Sequence, residues 1–471
     1  MSACWPMAGS TSTRRSDLAP PAAAQQIRQT LCRFLEARLQ PGARLCVGVS
    51  GGRDSLVLLH ALAGLRASGF ALSAVHVDHG LSANADRWAS FCADFCRSCG
   101  VPIEIVRVEV PRASGDGLEA AARRLRHAGF AGRAADWLAL AHPRDDQAET
   151  VLFRLLRGAG VSGAAGMPAE RSQGCGPRLI RPLLDVPGSL LARYAEECSL
   201  TWIEDESNAD PRFRRNHLRR EVLPRITEQF PGAAQALARS GQHFAEAAGL
   251  LDELAQADRA ATAGACGRID LARFNSLSRP RARNLLRCEL RAAGFRSPET
   301  RWLDEALRQL ATVGAASQTC VATPDGEIHA YRGELYLVRQ RPAIPSVALP
   351  WRGEGELPWG GGRVSFRSTL GEGVSYRMLA SAAICLRARQ GGERLQPDPR
   401  RPPRALRKLL QEAALPPWER LRLPLLWAGE HLVWVAGIGV AAAFACAPDE
   451  AGLALAWEAA APLPPGVLAR T

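Results

Sequence analysis

Residues Ser50-Gly51-Gly52-Arg53-Asp54-Ser55 lie between a short apolar run, Leu45-Cys46-Val47-Gly48-Val49, and a stretch in which Leu56, Leu59, Leu62 and Ala63 recur at helical spacing. An unbroken apolar pentapeptide suits a strand covered on both faces. Apolar residues three and four apart suit a helix that buries one stripe. The hexapeptide is therefore a strand-to-helix turn, and it points to a parallel sheet with crossover helices. Glycines in such a turn remove side chains that would hold the backbone away from a ligand. The free N–H groups of the helix start, with the positive end of its dipole, then face a phosphate. Ser50 and Ser55 add hydroxyl donors, whereas Asp54 reads as a carboxylate for Mg2+ bridging phosphate oxygens. The lysine of the G-x-x-x-x-G-K-[ST] loop is absent, so the site is of another kind.

Strand and helix alternate from 23 to 230, with strands expected at 44–49, 71–77, 103–108 and 138–141. The expected helices cover 54–67, the stretch after Asp78-His79-Gly80-Leu81 through about 99, 117–137, and a long segment from near Asp145. This predicts an α/β domain, a parallel sheet with helices on both faces. Residues 231–345 read as mainly helical, at 233–259, 280–293 and 299–311, with a hairpin near 327–337. A linker is expected at 346–362, and a small α+β domain at 363–462 around an Arg-rich helix over 404–412. The Ala-, Ser-, Thr- and Pro-rich start, 1–22, reads as a disordered extension.

At 471 residues the chain is too long for one core. With 47% hydrophobic and 23% charged residues it is globular, and no apolar run is long enough to span a bilayer, so a cytoplasmic location without a membrane partner is expected. The net charge of +12 suits a polyanionic partner. Basic residues are nearly all arginine, Lys408 being the sole lysine, so a single arginine carries little meaning. Of the 13 cysteines only Cys92, Cys96 and Cys99 cluster; without a second pair at zinc spacing they read as small core residues. The oligomeric state stays open.

Three further clusters stand out. His142-Pro143-Arg144-Asp145-Asp146-Gln147-Ala148-Glu149-Thr150 follows the fourth strand, which puts it at the carboxyl edge beside the glycine turn. With Asp145 as N-cap, Asp146 and Glu149 share a helix face and can hold Mg2+ or an ammonium group. Trp202-Ile203-Glu204-Asp205-Glu206-Ser207-Asn208 leads to Arg215 and Arg219, four apart on a probable helix and able to grip phosphates. Arg157-Gly158-Ala159-Gly160 through Gly166-Met167, with Arg181-Pro182-Leu183-Leu184, reads as a flexible loop suited to closing over a substrate. Each has a plainer reading as capping, a solvated face or a mere connection.

The glycine turn resembles the PP-loop of the N-type ATP pyrophosphatases, which release pyrophosphate and adenylate their substrate. In order along the chain come the turn, Val77-Asp78-His79-Gly80-Leu81, Gly117-Leu118-Glu119-Ala120-Ala121-Ala122-Arg123, Asp145-Asp146-Gln147-Ala148-Glu149-Thr150, Arg181-Pro182-Leu183-Leu184 and Trp202 to Asn208. Lys408-Leu409-Leu410-Gln411-Glu412, Leu415-Pro416-Pro417-Trp418-Glu419-Arg420 and Pro424-Leu425-Leu426 follow. Together they resemble the long, three-domain tRNA(Ile)-lysidine synthetases, over nearly the whole chain after residue 22. The resemblance implies ligation of free lysine to the wobble cytidine of a CAU-anticodon tRNA(Ile). ATP adenylates the carbon-2 oxygen, and the lysine side-chain amine then displaces AMP. The product, lysidine, pairs with A, switching the tRNA from methionine to isoleucine identity. The resemblance also implies that Ser50, Gly51, Gly52, Arg53, Asp54 and Ser55 bind ATP, with Asp54 on Mg2+. It gives Asp146 and Glu149 to the lysine or the metal, makes Asp54, Asp146 and Arg215 catalytic, and brings Arg215 to the adenylate or tRNA. Where members carry a histidine two positions before the Asp-Asp pair, this chain has Pro143.

Residues 385–425 hold ten basic and four acidic residues, an excess of six, around Trp418. Arg404, Arg407 and Lys408, with Arg215 and Arg219, are the expected tRNA contacts. Three rivals differ at identifiable residues. A PP-loop tRNA thiolase would place C-x-x-C after the third strand, where this chain has Leu118-Glu119-Ala120-Ala121. A carboxylate-activating synthetase would not need the Arg-rich end, and a non-catalytic tRNA-binding protein would not need Asp54.

Overall fold

The computed structural model describes residues 22–66, 69–80, 84–108, 125, 129–130, 132–172, 176–204, 214–264, 267–312, 319–380 and 382–459. The extension read at 1–22, apart from Ala22, the Gly117–Arg123 motif and 205–213 lie outside them. The chain divides into two compact units, 1–250 and 251–471.

The first unit is built on six strands: β1 (Arg44–Gly48), β2 (Ala71–Asp78), β3 (Ile103–Arg107), β4 (Trp137–Ala139), β5 (Glu170–Arg171) and β6 (Arg178–Ile180). Their order is β3-β2-β1-β4-β6-β5. All neighbours are parallel except β5 against β6. The helices are α1 (Ala23–Glu36), α2 (Arg53–Ala63), α3 (Ala85–Ser98), α4 (Arg144–Leu156) and α5 (Gly188–Glu197). The period-two alternation of β1 assigns Leu45 and Val47 to the core shared with α1, α2, α3 and α5. Cys46 faces the other way, with Val75, Val77, Phe130, Leu138 and Leu179. The apolar run of β1 is continuous because both faces are covered, as its sequence predicts. Strand order reverses between β1 and β4. In sheets of this kind the ligand crevice lies there, at the carboxyl ends, which here is between the starts of α2 and α4.

Two predicted details differ. The N-cap of α4 is Pro143, not Asp145. Proline fixes an extended entry, and the Arg144 N–H donates to the Val186 carbonyl at 2.9 Å. The Asp145 carboxylate instead accepts from the Gly188 N–H at 2.6 Å and satisfies the start of α5. Likewise Glu197, ending α5, accepts from Ala23 and Ala24 at 2.9 and 3.0 Å and caps α1.

After 213 come α6 (Arg214–His217), a π-helical turn over Leu218–Val222 and α7 (Leu223–Gln229). Residues of α8 (Ala233–Ala261) belong to both units.

In the second unit α9 (Leu271–Ser276), α10 (Arg279–Ala292) and α11 (Thr300–Ala311) share a core with a four-stranded sheet. Its strands are β7 (Ile269–Asp270), β8 (Thr319–Thr323), β9 (Gly326–Tyr331) and β10 (Glu334–Arg339). The expected hairpin is thus a three-stranded meander with β7 added. Residues 346–362, read as a linker, carry β11 (Leu349–Pro350) and β12 (Glu356–Trp359). Trp359 is 1% exposed, and its indole donates to the Arg422 carbonyl at 2.7 Å.

A second core gathers β13 (Gly362–Leu370), β14 (Val374–Ser375), β15 (Ile384–Arg387), β18 (Leu425–Ala428), β19 (His431–Val435), β20 (Gly439–Val440) and β21 (Ala451–Glu458). The helix α12 (Leu406–Glu412) packs on it. Arg404 is not on that helix but on β17 (Arg404–Ala405), paired with β16 (Arg394–Leu395).

Candidate active site

The loop after β1 is shaped by its own hydroxyls and by one left-handed glycine. Ser55 Oγ donates to the Gly52 carbonyl at 2.8 Å and accepts from the Ser50 N–H at 3.2 Å. Gly51 has φ +82, and a Cβ there would meet Ile203 Cδ1 at 3.0 Å and Cys92 Sγ at 3.3 Å. Gly52 is the N-cap of α2 in extended conformation, and its added Cβ would meet only Ser50 Oγ, at 3.5 Å. The conformational demand therefore falls on Gly51, while Gly52 leaves open space at the mouth. No acceptor is found for the Arg53 and Asp54 backbone N–H groups among the described residues, so the start of α2 keeps two donors for an anion. The Ile203 N–H donates to the Gly51 carbonyl at 2.9 Å, which ties the Trp202-Ile203-Glu204 motif to this loop.

Asp54 Oδ1 accepts from Arg53 Nε at 2.8 Å. Burial raises its carboxyl above the usual range, against the lowering pull of Arg53 and Arg219. A half-buried carboxylate that accepts from Arg53 through one oxygen, beside free helix-start donors, is a donor set that fits a divalent cation shared with phosphate oxygens.

Across the crevice, α4 presents Asp146 and Glu149. Glu149 is 1% exposed, and both of its oxygens are engaged. Oε1 accepts from Arg215 Nε, and Oε2 from Arg219 Nε at 2.8 Å. Arg219 Nη2 also donates to Asp146 Oδ1 at 2.5 Å, and Arg215 Nη2 to Thr150 Oγ1 at 3.0 Å. The Asp146 carboxyl is pushed up to about 6, by burial first and by Glu149, against the pull of Arg219 and Arg215. Arg215 and Arg219, expected to grip phosphates, here grip the two carboxylates expected to hold an amine.

The glycine loop expected to be flexible is fastened down. The Gln147 amide exchanges two hydrogen bonds with the Met167 backbone, at 3.0 and 2.7 Å. Arg154 Nη1 donates to the Gly163 and Gly166 carbonyls at 3.0 and 2.6 Å. Gly166 needs its left-handed φ of +66, and an added Cβ would strike the Gln147 amide at 2.7 Å. These contacts have no periodic signature. The pairing of Arg215 and Arg219 with Asp146 and Glu149 likewise joins segments 66–73 residues apart, which no local spacing announces.

In the second unit, Arg404 is spent largely on Glu412, donating through Nη1 at 2.9 Å and through Nη2. Arg407 and Lys408 are exposed, with no ion pair among the described residues.

A PP-loop domain model matches residues 23–226, a TilS substrate binding domain model 269–336, and a TilS substrate C-terminal domain model 384–457. The tRNA(Ile)-lysidine synthase of Aromatoleum aromaticum is 47% identical over 427 residues, 90% of this chain and 100% of that protein. The chain belongs to the tRNA(Ile)-lysidine synthase family. The synthase of an Azoarcus species is 45% identical over 89% of this chain and 93% of that protein. Among solved structures, a U34-tRNA thiolase of Methanococcus maripaludis with its [4Fe-4S] cluster is 18% identical, with a TM-score of 0.41 over 48% of this chain and 80% of that chain. Family membership gives the chain a PP-loop ATP-using domain and the fold class expected from its sequence. The clustered Cys92 and Cys96 are fully buried on α3, and burial pushes both thiols up to about 12. They are core residues, with Cys92 packed beneath Gly51. No helix among the described residues is long and apolar enough to cross a membrane.

Proposed function

We propose that the chain is a cytoplasmic ligase that joins free lysine to the wobble cytidine of CAU-anticodon tRNA(Ile), consuming ATP and giving AMP and pyrophosphate. One observation carries this reading. A phosphate-accepting helix start with Asp54 faces the half-buried Asp146 and the buried Glu149, a pair whose chemistry is to hold a cation, across one sheet crevice. An anion site and an ammonium site side by side are what an adenylation followed by an amine attack requires.

In the first step the cytidine carbon-2 oxygen attacks the α-phosphate, and the bond to the β-phosphate breaks. Ser50, Gly51, Gly52, Arg53 and Ser55 shape the cradle for the departing pyrophosphate, with the free backbone N–H groups of Arg53 and Asp54 as its donors. Mg2+, held by Asp54, would neutralise charge on the phosphate oxygens when bound. In the second step the lysine side-chain amine attacks carbon 2, and the oxygen leaves with AMP. Asp146 and Glu149 orient the amino acid, and Arg215, one helical turn before Arg219, lies within reach of the leaving phosphate. Arg407 and Lys408, with a smaller share from Arg404, are the phosphate contacts for tRNA in the second unit.

The test is a pair of requirement curves. Asp54→Asn is expected to abolish tRNA-dependent pyrophosphate release while circular dichroism stays native. Glu149→Gln is expected to raise the lysine KM roughly ten- to a hundred-fold, the worth of one charge-assisted contact, with the ATP KM nearly unchanged. A Glu149→Gln loss confined to ATP would move Glu149 from the amine to the nucleotide.

A further inference from the structure

We propose that Arg215 and Arg219 occupy the amine subsite of the nucleotide-free protein, so that lysine enters only after the phosphates of ATP have drawn these guanidinium groups away. The proposal rests on the assignment of Asp146 and Glu149 to the amine. It adds an order of events and gives Arg219 the role of a positioning residue.

Both Glu149 oxygens and one Asp146 oxygen already receive N–H donors from the two arginines. An ammonium group held between the two carboxylates needs the Glu149 oxygens, and the Glu149 side chain, 1% exposed, offers no second approach from water; only Asp146 Oδ2, on a side chain 20% exposed, has no donor among the described residues. Amine and guanidinium therefore compete for one place. Leaving Glu149 unpaired is not an available state, because a buried carboxylate without a partner is strongly disfavoured. The exchange must replace one cation by another, which preserves the local charge.

An arginine cannot leave by losing its proton. It leaves as a cation and needs an anion to go to. The anion that the reaction brings is the polyphosphate at the start of α2. Arg219 is already within electrostatic reach of that point, since its charge acts on Asp54 as well as on Asp146 and Glu149. A guanidinium fork suits phosphate as well as carboxylate, so the same group has two partners of matching geometry.

The backbone supplies the means of movement. Arg219 lies in the π-helical turn Leu218–Val222, directly after the α-helical turn that carries Arg215. A π turn holds one residue more than an α turn, and such turns occur mostly as single-turn insertions in α-helices, frequently at functional sites. Conversion to α geometry rotates Arg219 relative to Arg215 without unfolding the segment. This gives two discrete arrangements, as a switch requires.

The experiment is equilibrium dialysis of radiolabelled lysine against the full-length protein. It is run alone, with a non-hydrolysable α,β-methylene ATP and Mg2+, and with that analogue plus deacylated tRNA. Wild type is expected to bind lysine roughly ten- to a hundred-fold more tightly in the nucleotide arms than alone. Arg219→Gln is expected to raise nucleotide-free affinity and flatten the dependence on the analogue, with Arg219→Lys in between. Equal lysine affinity of the wild type in all arms would overturn the proposal, whatever the variants do. The underlying assignment is read separately: Glu149→Gln must lose lysine in the nucleotide arms. Retained binding in that variant would remove Glu149 from the amine site and take the proposal with it.

Discussion

At the residue scale the two loop glycines separate. Gly51 combines a left-handed φ with close neighbours on α3 and at Ile203. Gly51→Ala is expected to lower the melting temperature and distort the loop, because its cost is paid in the free protein. Gly52→Ala is expected to melt like wild type yet weaken ATP binding, because only the ligand side of the loop is obstructed; comparing thermal melts with ATP titrations checks both. Asp146 gives a pH signature. Its carboxyl stands at about 6 against an ordinary 3.8. Above about 6 it is ionised and can hold an ammonium, while lysine itself stays protonated. The lysine KM is expected to rise as pH falls through about 6, and Asp146→Asn to remove that inflection. The same shift acts on stability with the opposite sense: its contribution is fully present below about 4 and is lost as pH rises through about 6. The identities of Asp54, Asp146, Glu149, Arg215 and Arg219 were legible because each stands at a strand end or at helical spacing. That the arginines pair with the carboxylates, and that Asp145 serves α5 instead of its own helix, depends on a meeting of distant segments.

At the element scale, the strands and helices around the crevice follow their periodicity, with ends displaced by a few residues. The π turn at Leu218–Val222 leaves no mark in composition, since an inserted residue changes register and not hydrophobicity. The Leu415-Pro416-Pro417-Trp418-Glu419-Arg420 motif had only a family likeness to explain it. In the structure it fastens α13 (Pro417–Arg420) to the β7–β10 sheet. Trp418 stacks on His329 with centroids 3.9 Å apart, Arg420 donates to the Tyr331 hydroxyl at 3.0 Å, and Glu419 accepts from Arg341 at 3.0 Å and 2.5 Å. Both partners of the Arg341–Glu419 pair are nearly buried, so Glu419→Gln leaves a charge uncompensated and is expected to cost about 3 kcal/mol. Hydrogen exchange should show lost protection at β9 and α13, with ATP binding intact. Unchanged exchange would mean that the motif does not hold these elements together.

At the scale of the whole molecule, sequence order alone assigned the α/β class and the family, because motifs in fixed succession constrain topology more tightly than any one of them. Net charge was a weaker guide. Within 385–425, Arg387, Arg389, Arg394, Arg404, Arg420 and Arg422 are committed to partners inside the chain. A count of charges overstates what a nucleic acid can use. Neutralising Arg407 and Lys408 together is therefore expected to lower the log–log salt slope of tRNA binding by about one to two units, and Arg404→Gln by less. A truncation after 362 is a poor probe, since it strips β12 of its partner β13 and uncovers Trp359. The most direct test of the central claim is incubation of the pure protein with ATP, labelled lysine and total bacterial tRNA. The account predicts label in one tRNA species, CAU-anticodon tRNA(Ile), with one AMP and one pyrophosphate per lysine. Sulfur transfer, or pyrophosphate release with no lysine in any tRNA, would contradict it.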